Sequence, residues 1–261
     1  MCTIARASRS SVVQIEDSQS ETVGTGSVLS DTRRALQKIA TKAKAPVLLR
    51  LVFHDAGTYL QSASNGGANA SIRFELKRPE NTGLNRGWSL IAAIKKELEG
   101  TAAAQLSHAD LIALAGAHAV ATTGGPVIKV PIGRADASAE DPKGRLPEET
   151  LTADQLRQAF AAKGLGTRDF VALSGAHTLG NKGFGEPLSF DNAYYKSLLN
   201  RPWNDPNNSM AAMIGLPSDH VLADDPACLD MIKGYADDQD VFFTDFSASF
   251  LKLASLGAQW A

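Results

Sequence analysis

The stretch PVLLRLVFHDA at residues 46–56 decides how the chain reads. Pro46 is tolerated in the first turn of a helix. The residues after it are apolar nearly all round, which describes a buried helix. Arg50 and His54 break the pattern. They stand four apart, so both side chains project from one face. Burying an arginine without a partner is costly, so something must meet it: an internal carboxylate, the acid groups of a cofactor, or water in a pocket. A structural ion pair beside a satisfied core histidine is the plainer reading, and on these two residues alone the better one.

Outward from this segment, most periodic stretches are helical. Residues 31–43 set Leu36, Ile39 and Ala40 at helical spacing behind Ser30 as a cap. Residues 107–120 open with Ser107 and Asp110, the Ser-x-x-Asp form of a helix start. Residues 153–163 read as a helix that stops at Gly164, and residues 168–178 (RDFVALSGAHT) follow Thr167 as a cap. Phe242, Phe246, Phe250 and Leu253 form one stripe at helical spacing. Strand signals are weak, and Val127–Ile132 is the one short extended candidate. Connections rich in Gly, Pro and Asn fall at 61–71, 79–87, 133–147, 180–189 and 201–209. The expectation is a mainly α fold in two lobes, about 29–140 and about 141–261, dividing in the polar stretch 135–150.

The chain has 261 residues, 44% of them hydrophobic, enough for a packed core. A net charge of −2 gives no basic excess that would point to nucleic acid or an anionic membrane surface. The longest apolar run, Ala45–Phe53, is short and broken by Arg50, so no membrane span is expected. Two cysteines, Cys2 and Cys228, argue against a disulfide framework and for a reducing compartment. Cys228 reads as a plain buried thiol. The first fifteen residues carry Arg6, Arg9 and several hydroxyl residues but no acid. That resembles an organellar transit peptide or its remnant, and equally a disordered terminus. Residues 16–28 read as a polar linker, so 1–28 is expected to be a flexible N-terminal segment.

Two further residues stand out. His177, in LSGAHTLG, shares a helix face with Phe170, Leu173 and Ser174. Such a histidine is more often a core residue than a ligand, and the local text leaves both open. Asp245, in FFTDFSASF, sits at the edge of the phenylalanine stripe. A carboxylate there needs a hydrogen-bond donor. An imidazole N–H is one candidate, since metal-bound histidines commonly donate that proton to a carboxylate. A solvated edge residue is the other. His108 reads as a cap-region residue, and His118 and His220 as surface or structural. No phosphate-binding loop, Gly-x-Ser-x-Gly elbow or zinc pattern is present.

Taken together, the segments resemble a known family. APVLLRLVFHDAGTY (45–59) resembles the distal helix of plant-type haem peroxidases, and LSGAHTLG (173–180) their proximal ligand motif. ADLIALAGAHAV (109–120), GGPVIKVPIGRADA (124–137), GRLPEETL (144–151) and FFTDFSASFLKLASLGA (242–258) resemble the intracellular, ascorbate peroxidase-like members. The likeness runs from about residue 30 to the C-terminus and is nearest to the ascorbate peroxidase-related group of plants and algae, often plastid-targeted.

The resemblance implies a two-lobed helical fold with haem b between the lobes and an intracellular enzyme, in the chloroplast or else the cytosol. It would reduce hydrogen peroxide with a small-molecule electron donor in peroxide detoxification. His177 would be the axial ligand of the haem iron and Asp245 the acceptor of its other ring N–H. His54 would move the peroxide proton, and Arg50 would stabilise charge on the leaving oxygen. Asn81, in ENTGL, would hold His54, with Glu75 supporting the asparagine. Phe53 and Ser174 would lie against the cofactor.

Departures from the family pattern fall on the donor side. Phe53 stands where ascorbate peroxidases usually carry Trp. The 178–190 loop is short, has no Arg for ascorbate and lacks the proximal tryptophan; Lys42 matches the other ascorbate-contacting position. Of the family's proximal cation site only Thr178 and Asp191 remain, which gives little support for a bound potassium or calcium ion. These departures point away from ascorbate as the preferred donor. The alternatives are an ascorbate-specific peroxidase or a non-enzymatic haem-binding relative.

Overall fold

A computed structural model describes residues 23–260. The transit-like residues 1–15, Cys2 and linker residues 16–22 lie outside the described residues. Among the described residues regular structure is helical, and strand-type pairing is confined to two isolated bridges, Leu60–Asn65 and Arg134–Trp260. The fold is mainly α, as expected. Val127–Ile132 forms no strand. Its burial alternates as an extended piece would, with Val127 and Lys129 exposed and Ile128 buried, but no second segment pairs with it.

The first helical group is α1 (Val23–Ile39), α2 (Ala45–Ala56), α3 (Ile72–Glu75), α4 (Asn85–Glu97) and α5 (His108–Thr122). Residues 23–28, expected as linker, form the first turns of α1. Their composition reads as loop, yet Val28 packs on the core and its carbonyl accepts a 2.7 Å hydrogen bond from Thr32 Oγ1. Helix α4 begins inside a stretch expected as a connection. It buries only Gly87, Ile91 and Ile94, a stripe too narrow to announce itself. Helix α5 starts where its cap predicts, with the Asp110 N–H donating to Ser107 Oγ at 3.0 Å. Helices α2 and α5 pack closely at Gly116, where a Cβ would overlap the Val52 side chain.

The second group is α6 (Ala153–Ala161), α7 (Thr167–Ser174), α8 (Ala193–Asn200), α9 (Pro217–His220), α10 (Pro226–Asp237) and α11 (Gln239–Leu253). Thr152 and Gln155 close a capping box at α6, and Asp238 caps α11. Helix α7 tightens after Ser174 into a 3-10 turn, Gly175–Thr178, which carries His177. Gly175 is required there, because a Cβ would collide with the Tyr195 hydroxyl and the Phe242 ring. The phenylalanine stripe of α11 is fully buried and packs on α7. One continuous core joins the two groups. Buried Arg134 fastens them, pairing with Asp110 of α5 at 2.9 Å and donating to the Ala254 carbonyl after α11 at 2.7 Å.

Candidate active site

A cavity of about 1300 Å³ opens between α2 on one side and the α7 turn, α9 and α11 on the other. It exceeds the usual size of a small-molecule pocket, roughly 300–1000 Å³. Arg50, Phe53 and His54 line it from α2, and Ser174 and His177 from the end of α7.

On the α2 side, the fixed element is a pair of hydrogen bonds. His54 Nδ1 lies 2.8 Å from Asn81 Oδ1, and Asn81 Nδ2 donates to the Glu75 backbone carbonyl at 3.0 Å. The amide oxygen must accept, so Nδ1 carries the proton and Nε2 is left as a base. Burial and the nearby Arg50 charge outweigh the Asn81 bond and bring the His54 pKa down to about 4. His54 is therefore neutral at physiological pH. Arg50 meets no carboxylate among the described residues. Its guanidinium donates to the backbone carbonyls of Thr82 at 2.9 Å and Glu80 at 2.8 Å, while the residue stays exposed to the cavity. That removes the ion-pair reading of the Arg50–His54 face. Phe53 stacks on Phe160, ring centroids 6.0 Å apart.

Across the cavity, His177 Nδ1 lies 2.7 Å from Asp219 Oδ1. Asp219 is buried and satisfied three times over: Tyr194 Oη donates to Oδ1 at 2.9 Å and the Leu216 N–H to Oδ2 at 2.8 Å. Burial works against both charges, yet the pair outweighs it, lowering the Asp219 pKa and raising that of His177 above their ordinary values. His177 Nε2 makes no hydrogen bond among the described residues, and the ring remains 39% accessible. An imidazole with one nitrogen tied to a carboxylate and the other free on a large cavity can ligate a metal-centred cofactor.

A family model described as peroxidase matches residues 28–238. The chain is 50% identical over 225 residues to "Putative L-ascorbate peroxidase 6" of Arabidopsis thaliana, covering 86% of this chain and 68% of the relative. It is 40% identical over 242 residues to "L-ascorbate peroxidase 5, peroxisomal" of the same plant, covering 88% and 82%. It is 39% identical over 232 residues to "L-ascorbate peroxidase 1, cytosolic" of Oryza sativa subsp. indica, covering 84% and 88%. The chain is a class I plant-type haem peroxidase of the ascorbate peroxidase-related group.

In this peroxidase the acid beside His177 is Asp219, not Asp245. Asp245 accepts from Arg168 Nη1 at 3.0 Å and from Tyr235 Oη at 2.7 Å. It faces the N-terminal end of α7, whereas His177 follows the C-terminal end. Nine residues at 1.5 Å rise put Arg168 and His177 on the order of 14 Å apart along the axis. Asp219 gives little signal in the sequence, since it reads locally as an acid in the first turn of a short helix behind Pro217; the lone carboxylate in the apolar run IGLPSDHVL is its only mark. Glu75 also differs from expectation. Asn81 uses its backbone carbonyl, while its buried carboxylate accepts from Arg78 Nη1 at 2.8 Å and the Asp141 N–H at 2.8 Å. Ser174 Oγ donates to the Phe170 carbonyl at 2.9 Å. Of the residual cation positions, Thr178 Oγ1 donates to Asp191 Oδ1 at 3.0 Å, and no cluster of three or more metal-ligating residues occurs among the described residues.

The remaining histidines are structural. His108, the first residue of α5, sets its Nδ1 2.7 Å from the Asp136 carboxylate, His118 Nε2 lies 3.2 Å from the Ala40 carbonyl, and His220 stacks on Trp203. Cys228 is a buried thiol with its pKa pushed up to about 12 by burial and Asp225. No helix among the described residues is long and apolar enough to cross a membrane.

Proposed function

We propose that the chain reduces hydrogen peroxide on a haem b held by His177 and takes the electrons from ascorbate or a closely similar small reductant. The observation that carries this reading is the pairing, across one cavity, of a neutral His54 beside Arg50 with a carboxylate-bound His177. When bound, haem would supply redox-active iron able to accept the oxidising equivalents of peroxide. His177 Nε2 would ligate the haem iron, with Asp219 holding the Nδ1 proton and making the imidazole more electron-donating. His54 Nε2 takes the peroxide proton and returns it to the leaving oxygen, with Asn81 fixing the tautomer. Arg50, held by two backbone carbonyls, presents its charge to that oxygen. Phe53 and Ser174, which line the cavity from opposite walls, would lie against the cofactor. Residues 29–261 form the peroxidase domain, about 29–140 distal and 141–261 proximal.

The ascorbate reading is supported by the names of the relatives and by Lys42, which lines a separate depression of about 380 Å³ with residues 186–189. A second reading, an uncharged phenolic donor, is favoured by the Glu186 carboxylate in that depression and by the lack of arginine in 178–190. A plastid location is supported by the acid-free start with Arg6 and Arg9, although two of the relatives quoted are named peroxisomal and cytosolic. The test is a stopped-flow titration of haem-loaded protein with hydrogen peroxide, followed by ascorbate and a phenol as donors. A peroxide-induced change in the haem spectrum reversed by ascorbate at saturable rate supports the proposal. No spectral change with peroxide would sink it, and saturation by the phenol alone would replace ascorbate with the second reading.

A further inference from the structure

Three tyrosines run from the proximal pair to the outside of the molecule. Tyr194 packs edge-on against His177, ring centroids 6.0 Å apart, and donates to Asp219. Tyr195 follows at 5.1 Å, and Tyr235 lies a further 5.1 Å from Tyr195. All three are buried. Tyr235 Oη donates to Asp245 Oδ2 at 2.7 Å, and Asp245 meets Arg168, whose side chain is 67% exposed. The mechanism above uses neither Tyr195, Tyr235 nor Asp245.

The three phenols are not equivalent. An oxidised phenol is a strong acid, so a tyrosine gives up an electron readily only where a base stands ready for its proton. Tyr195 Oη donates to the Val171 and Ala172 carbonyls, which accept hydrogen bonds but not protons. The carboxylate beside Tyr194 already serves His177 and Leu216. Tyr235 alone has a carboxylate outside the cofactor pocket, and that carboxylate reaches the surface. Burial and Asp245 push the Tyr235 pKa far up, so the resting group is the neutral phenol.

We infer that Tyr235 is a redox-active site, joined to the haem pocket through Tyr195 and Tyr194 and opening outward at Asp245 and Arg168. The step balances as a one-electron exchange. One electron passes from Tyr235 by way of the two inner rings to the peroxide-oxidised cofactor, which is reduced by one equivalent. The phenol proton moves to Asp245 Oδ2, leaving a neutral phenoxyl radical. The small-molecule one-electron donor of the proposed function, met at the Arg168 surface, returns the electron, and Asp245 returns the proton. The relay gives the oxidising equivalent an exit for donors that do not enter the cavity. It rests on haem being held at His177.

The experiment is freeze-quench electron paramagnetic resonance of haem-loaded protein mixed with hydrogen peroxide without donor, with the optical spectrum recorded on the same mixture. A radical whose hyperfine structure narrows with ring-deuterated tyrosine is expected. Tyr235→Phe keeps the ring packing and should abolish that signal. Asp245→Asn, which keeps a hydrogen-bond acceptor but is no base, should also lose it. In both variants the optical change should persist. A tyrosyl signal unaltered in Tyr235→Phe, or no protein radical despite a full optical change, overturns the relay and leaves the peroxidase reading standing. Absence of the optical change in the parent protein overturns both.

Discussion

The two histidines facing the cavity differ in what holds them. His54 is held by an amide oxygen, and burial beside Arg50 brings its pKa down to about 4. His177 is held by a buried carboxylate, and its pKa rises. An amide fixes a tautomer without lending charge; a carboxylate makes the ring a richer donor. Under the proposed function, identical side chains would thus serve as a proton shuttle on one side and a ligand on the other, through one hydrogen-bond partner each. That assignment of roles belongs to the proposed function, and it can be broken one partner at a time.

The largest effect is expected at the base itself. His54→Ala should slow the reaction of haem-loaded protein with peroxide by about 10²–10⁴-fold, the usual contribution of general acid–base catalysis. Haem binding should be kept, because the ligand is on the other wall. A stopped-flow rate constant near that of the parent would remove His54 from the proton transfer.

On the proximal wall the effect should be smaller and of another kind. Asp219→Asn keeps an acceptor for Nδ1 but removes the charge, and loss of such a partner costs about 10–100-fold in affinity or activity. A fall in haem affinity or turnover of that order, with a raised iron reduction potential, is expected. Asp245→Asn should leave the potential unchanged. If the two variants exchanged behaviour, the pairing of His177 with Asp219 would be wrong.

These differences track what could be read before the fold was known. Arg50 and His54 lie within one turn-and-a-bit of a single helix, so their spacing alone put them on one face. His177 and Asp219 are 42 residues apart and meet only through tertiary packing. No periodicity links them. The stripe Phe242, Phe246 and Phe250 marks the core face of α11, while Asp245, three residues past Phe242, is open between imidazole partner and edge residue on pattern alone and enters the site only through the family resemblance. In a helix three residues also carry a side chain some 60° off the stripe, which here is far enough to face Arg168 and Tyr235 instead. The long helices α2, α5 and α11 were legible from pattern and caps; α4 was not, because its core stripe is so thin.

The smallest effect is a pH dependence confined to the acid side. His54 acts as a base only while Nε2 is unprotonated. Its pKa lies near 4, below the ordinary 6.5, so the rate with peroxide should stay flat through neutral pH and fall by half near pH 4 with a one-proton slope. The same shift has a linked effect on stability. The unfolded chain takes up this proton first, so the ring's contribution to stability declines as pH falls from 6.5 toward 4. The two effects separate by measurement: the rate constant titrates near the folded value, while the denaturant midpoint begins to drop higher up. An inflection of the rate near 6.5 instead would mean that Arg50 and burial do not depress this histidine in the folded protein. His54 and His177 would then differ through the carboxylate at His177 and not through a depressed His54.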